Sequence, residues 1–387
     1  MAELQYRRRQ HRHLCAARCT IGHPQPRHRI DHHQHCPVSS NTNGQVYLIN
    51  PNGIAITSTG TVNTGAFVAS TLRISDADFM AGQRSFTGNG ASAPVTNTGT
   101  ITIERGGYMA LIGGSVANSG TITVPMGEAA VGSGGQATLD LSGDGFLQVA
   151  LPTQWHGSDA LVSNSGTISA DSGMVKLTAA AASDMARQAV NMSGTIEARG
   201  VSGRSGDITL FGGEGKVVVM GRVVVRNTEG KGGSVTVASR EIELATAVID
   251  ASGTTGGGTI RIGGERQGTG TLLHAETLTV DAGTSINANA TISGNGGEAE
   301  VSGKALLAYT GFTDLSATNG AFGTLLLDPY NVTISTGPTA TSRASRPAAM
   351  TASSMPRRSK TRCPAPMSSC PPAVAAHRRA ISPWPRR

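Results

Sequence analysis

The chain has 387 residues, 38% of them hydrophobic but only 4% aromatic, with 51 glycines and a formal charge of +7. So thin a supply of large side chains argues against a globular α/β enzyme and for a slender core of Val, Ile, Leu and Ala. Residues 1–40 carry +5 and residues 341–387 carry +10, which leaves −8 for the middle. The basicity belongs to the ends, so no nucleic acid is expected as a partner of the body.

Residues 1–40 hold seven of the ten histidines and three of the five cysteines. No zinc-module spacing connects them, and no apolar residues surround them to build a fold around an ion. This segment is expected to be disordered or out of frame, and it contains no apolar region of a signal peptide. From Gly44 a regular pattern begins. Gln45-Val-Tyr-Leu-Ile49 reads as a strand, Asn50-Pro-Asn-Gly53 as a turn and Ile54-Ala-Ile56 as the next strand. Pro51 arrives with φ already set, and Asn52-Gly53 accepts left-handed backbone.

Residues 67–86 break the pattern and are expected to leave it as a hairpin or short helix on its flank. A five-residue phrase then recurs: Asn97-Thr-Gly-Thr-Ile101, Asn118-Ser-Gly-Thr-Ile122, Asn164-Ser-Gly-Thr-Ile168 and the frayed Met192-Ser-Gly-Thr-Ile196. Asn and Gly turn the chain, and the β-branched pair opens an alternating, half-buried strand. Residues 140–160 and 179–190 interrupt the rhythm, and Ala179–Ala189 reads as a short helix. A second phrase follows at Gly206-Asp-Ile-Thr-Leu210, Gly232-Gly-Ser-Val-Thr-Val237, Gly257-Gly-Thr-Ile-Arg-Ile262 and Gly296-Gly-Glu-Ala-Glu-Val301. A turn and a strand repeated at such intervals predict an all-β solenoid of roughly a dozen coils, about 60 Å long at ~4.8 Å per coil. No run approaches the ~20 apolar residues of a membrane helix, so no membrane span is expected. Residues 341–387, rich in Pro and Arg, are again expected to be disordered or out of frame.

Asn43-Gly-Gln-Val-Tyr-Leu-Ile-Asn-Pro-Asn-Gly-Ile54 resembles the Asn-Pro-Asn-Gly motif of the two-partner secretion domain of filamentous-haemagglutinin-like exoproteins. Phe67–Leu72, Ser75–Phe79, the run Gly257–Gly264 with Gln267–Gly270, and Gly323–Ile334 are similar to later stretches of such proteins. The resemblance covers about 43–336. It implies a right-handed parallel β-helix of a Gram-negative bacterium, secreted or displayed at the cell surface, that adheres to a host or cell-surface receptor it does not identify. It also implies a partner: an outer-membrane transporter whose periplasmic domains recognise the secretion domain. Members carry an export signal and earlier coils before the position of Asn50, so the resemblance implies an N-terminally incomplete member. The organisation expected is a partial secretion domain over 41–175 and further coils over 176–340. Asn50, Pro51, Asn52 and Gly53 are the candidate recognition motif, with a plain turn as the competing reading.

The chemical readings are weaker. Asp140 and Asp144 lack the periodicity of a calcium-binding β-roll. Asp76 and Asp78, two apart, would share a face if they lay on a strand. Paired surface carboxylates of that kind keep open the alternative of a polysaccharide lyase or hydrolase on a β-helix. Asp207, Glu214 and Asp250 are scattered and have no His or Arg constellation with them. The expectation is a structural, adhesive protein that is not an enzyme and uses no cofactor or metal.

Overall fold

The computed structural model describes residues 39–88, 93–141, 146–151, 159–181, 188–201, 203–265 and 270–329, with side chains from residue 43 onward. Of the strands Arg12–Cys15, Val332–Ser335 and Met350–Ser353 it describes the backbone. Arg12–Cys15 pairs with 45–48, and Met350–Ser353 pairs with Val332–Ser335. The remaining expectations for the two end segments lie outside the described residues.

The chain winds around three faces. Thr167–Ser169 lies on the first face, Met174–Ala179 on the second and Gln188–Met192 on the third, after which Thr195–Glu197 returns to the first. Each strand pairs in parallel with its counterpart one coil away: Ile168 with Ile196, Val175 with Ile208, Val162 with Val190. The arrangement is the expected parallel β-helix. The third face has nine strands among the described residues, from Ile54–Ile56 to Leu306–Tyr309. The second face is longer, with eleven strands among the described residues stacked in parallel from Arg12–Cys15 to Thr324–Pro329, about 50 Å at the usual strand spacing and close to the expected dozen coils. The described residues within 71–93 and 134–161 add no strands to these faces.

Inside the helix, side chains stack in columns. Val62, Ile101, Ile122, Ile168, Ile196 and Val223 follow one another on the first face, all fully buried. One aliphatic layer per turn fills so thin a core, which explains why few aromatics are needed. The repeated phrase places three jobs on one corner. Its Ile enters this column. Its Gly allows backbone contact, since a Cβ on Gly120 would strike the Gly99 carbonyl, and one on Gly166 would strike that of Gly120. Its Asn forms a buried ladder, in which Asn97 Nδ2 donates to Asn118 Oδ1 and Asn118 Nδ2 donates to Asn164 Oδ1, each at 2.7 Å. At the frayed copy the ladder ends on the Met192 sulfur, 3.5 Å from Asn164 Nδ2.

The excursion begins later than the sequence suggested. Phe67, Val68 and Ala69 belong to the strand Thr61–Ser70, with Phe67 and Ala69 in the inner core. Beyond Ser70 come the helix Asp76–Met80 and the strand Ser85–Thr87. That strand joins Gln136–Leu139 and Leu147–Ala150 in a separate antiparallel sheet. This sheet and the helix share a second core, containing Tyr47, Val68, Leu72, Phe79, Phe86, Phe146 and Leu147, on the outside of the second face. Ala110, Ala130 and Gly132 are small there, and a Cβ on Gly132 would run into Leu147. In later coils the matching outward positions are Lys176, Thr209, Thr236 and Arg261, none of them fully buried. The same face is thus apolar where it is covered and polar where it is open.

The helix expected over Ala179–Ala189 has strand at both ends, in Met174–Ala179 and Gln188–Met192; residues 182–187 lie outside the described residues. No helix among the described residues is long and apolar enough to cross a membrane.

Candidate functional site

Asn50, Pro51, Asn52 and Gly53 form one tight turn at the corner between the second and third faces. The Gly53 N–H donates to the Asn50 carbonyl at 3.2 Å, closing the turn. The Asn52 N–H donates to Asn50 Oδ1 at 3.1 Å, and the Asn50 N–H reaches the Ser70 carbonyl of the next coil at 3.0 Å. Asn50 is therefore bound up in the corner through its backbone and its side chain. Pro51 supplies the fixed φ of the second turn position. Only Gly53 takes positive φ, at 117°, while Asn52 stays out of the left-handed region that was expected for both. The side chain of Asn52 is exposed and has no hydrogen-bond partner among the described residues. The motif thus separates into a structural asparagine and a presented one.

A second cluster beside this turn was not found from sequence. The Tyr47 and Tyr108 hydroxyls lie 2.7 Å apart, and the Tyr108 hydroxyl donates to Gln45 Oε1 at 3.0 Å. Arg84 donates from Nε to the Tyr47 hydroxyl at 2.7 Å and from Nη1 to the Phe79 and Gln83 carbonyls, each at 3.1 Å. Its guanidinium stands 5.1 Å from the Tyr47 ring centroid and 5.0 Å from that of Phe79, within cation–π range. Burial, with the neighbouring Tyr47, pushes the Tyr108 phenol far above its ordinary range, so it stays a neutral hydrogen-bonding group. The signal for this cluster lay in the runs Ala66–Ala69 and Met109–Ile112, which are apolar on both strand faces and so demand an outer cover.

The carboxylates weighed as a surface pair do not share a strand face. Asp76 and Asp78 lie in the first turn of a helix and not on a strand. Ser75 Oγ accepts from the Asp78 N–H at 3.0 Å and donates to Asp78 Oδ2 at 2.6 Å, a capping arrangement that takes up the carboxylate. Ser75 and two acids so close to a helix start disfavour strand, a signal present in the sequence. Asp207 and Asp250 sit on different faces, and Glu214, in a turn, approaches Arg240 at 3.7 Å. Asp207 is pushed above its ordinary value by burial, partly offset by hydrogen bonds from Ser234 and Thr209 and by Arg261. Arg261, Glu265, Glu298 and Glu300 line an open depression of about 530 Å³ on the second face. Burial raises the Glu300 carboxyl there. Among the described residues no group of His, Cys, Asp and Glu has the geometry to hold a metal ion. Asp144 lies outside the described residues.

The TPS secretion domain family matches residues 39–225, the coils that contain both the Asn50–Gly53 turn and the excursion. Among solved structures, the secretion domain of HMW1 from Haemophilus influenzae superposes with a TM-score of 0.63 at 30% identity, covering 74% of this chain and 80% of that one. Comparison with curated proteins returns no match. The turn, the parallel coils and these likenesses agree: the chain belongs to the two-partner secretion (TPS) domain family and is part of an exoprotein of that system.

Proposed function

We propose that this chain is the export-addressing part of an adhesin-like exoprotein, a non-catalytic β-helix whose N-terminal coils are recognised by the periplasmic domains of an outer-membrane transporter. The exposed Asn52 in a rigid corner carries this reading. Its neighbours Asn50, Pro51 and Gly53 are occupied in holding the corner, which leaves one polar side chain presented at a fixed place. In this division residues 41–175 are read by the transporter, and residues 176–340 extend the coils. The use of Asp78 in a helix cap, and the separation of Asp207, Glu214 and Asp250, support a non-catalytic body.

Titration of the purified chain against the soluble periplasmic domains of a two-partner transporter tests this. Asn52→Ala should weaken binding by about tenfold, the loss of one well-placed hydrogen bond, with the melting temperature unchanged. Asn50→Ala should lower both affinity and stability, because it removes the acceptor that holds the turn. Wild-type affinity in Asn52→Ala would mean that the motif is a corner of the coil and not a contact.

A further inference from the structure

The described residues of the excursion, within 71–88 and 134–151, pack in a core separate from the inner one and shared with the outer face of the coils. Its three strands form a sheet that pairs with no coil strand, with further backbone bonds to Arg73 and Arg84 of the excursion itself. It is pinned at a single buried cation. Arg84 is 5% exposed, yet its hydrogen-bonding partners are a phenol and two carbonyls, with no carboxylate among them. A guanidinium removed from water without a counter-charge is tolerated only where its donors and its flat faces are all satisfied. Here its contacts come from the helix Asp76–Met80, which supplies the Phe79 carbonyl and ring, and from Tyr47 in the first coil, whose hydroxyl meets that of Tyr108 two rungs further on.

The register shows how far this reaches. Tyr47 pairs with Val68, and Val68 with Ala110, so the Tyr47 and Tyr108 hydroxyls meet across an intervening strand. Beneath them Ala110, Ala130 and Gly132 leave a shallow bed for Phe86, Phe146 and Leu147. The coils, in contrast, close around a separate inner core that, among the described residues, draws nothing from the excursion beyond Ser70 until the third face resumes at Pro94.

We propose that Arg84 is a latch that docks the excursion as one unit onto the outer face of the first coils after the strand bearing Tyr108 has formed, and that this unit opens without unfolding the coils. This inference does not depend on transporter recognition. Opening bares the apolar outer face around Tyr47, Val68 and Ala110, which in the closed state is fully covered.

Hydrogen exchange of the full chain, read peptide by peptide, tests the latch in Tyr47→Phe and Arg84→Met. Tyr47→Phe keeps the ring and removes the hydroxyl that accepts from Nε, and Arg84→Met keeps aliphatic bulk and removes the charge. Exchange across 71–88 and 136–150 should speed up by about tenfold or more, while 167–179 and 207–250 change by less than about twofold. Unchanged exchange in the excursion, or acceleration by the same factor throughout, would overturn the proposal. So would failure of both variants to fold, since the cluster would then belong to the global fold. If only Arg84→Met fails to fold, Tyr47→Phe decides by the same two patterns.

Discussion

Replacing Asn118 with alanine probes the feature that most distinguishes these coils from a plain stack of aliphatic layers. Asn118 is 1% exposed and bonded on both sides, accepting from Asn97 and donating to Asn164 at 2.7 Å each. Alanine leaves Asn97 Nδ2 without its acceptor and Asn164 Oδ1 without its donor, both away from water. Each buried orphan costs about 1–3 kcal/mol, so the variant should lose about 2–6 kcal/mol. Asn164→Ala is the internal comparison. It orphans only Asn118 Nδ2, which keeps a long approach of 3.5 Å to the Gly120 carbonyl, and its own other contacts, to the Gly166 carbonyl, the Met192 sulfur and the Thr195 carbonyl, are long at 3.3 Å, 3.5 Å and 3.5 Å. It should therefore cost about half as much. Urea unfolding followed by circular dichroism, with the refolding branch recorded, measures both. A loss under about 1 kcal/mol for Asn118→Ala, or a larger loss for Asn164→Ala, would refute the ladder argument.

Gly120→Ala should cost about 3 kcal/mol, near the top of the overpacking range, because its Cβ meets backbone that cannot swing aside. Gly106→Ala, in open space at φ 77°, should cost only about 1–2 kcal/mol of backbone strain. Thr64 is buried with no partner for its hydroxyl, so the isosteric Thr64→Val should raise stability by about 1 kcal/mol; a loss would mean that the hydroxyl is satisfied. The carboxyls of Glu128, Asp207 and Glu300 are all raised, each first by burial, and so hold their protons more tightly folded than unfolded. Their stabilising protonated forms are lost as pH rises through the folded values. Unfolding midpoints should therefore rise as pH falls from 7 toward the ordinary carboxylate range, and Asp207→Asn should flatten that slope. Burial pulls Asp281 upward too, but hydrogen bonds from the Thr246 backbone, the Thr284 hydroxyl and the Gly283 and Thr284 backbone outweigh it and hold it low. Its stabilising ionised form should be lost only below its ordinary value of 3.8, reversing the trend there.

The coils were legible because each rung repeats a local rule. Gly120 must be Gly for the backbone approach and Ile122 must be apolar for the column, so the phrase around them carried its geometry in one dimension. The Asn50–Gly53 turn was legible for the same reason, although its division into a structural role for Asn50 and a presented role for Asn52 depends on Ser70, a full coil away. The excursion was legible as a break in the rhythm, but the site it forms was not. Arg84, Tyr47 and Tyr108 are brought together by rung stacking and not by spacing. The alternation test missed their site because the strands at Phe67–Ala69 and Met109–Ile112 are buried on both faces. For Asp76 and Asp78 the sequence left hairpin and short helix both open, and the Ser75 cap is what selects the helix.

Export measures the central claim most directly. The chain, directed to the periplasm by a fused export signal, is produced with and without a two-partner outer-membrane transporter, and the protein reaching the medium is quantified. Release that depends on the transporter and falls in Asn52→Ala, with folding of that variant intact, is the result predicted. Equal release with and without the transporter, or retention in the periplasm in both, would contradict it.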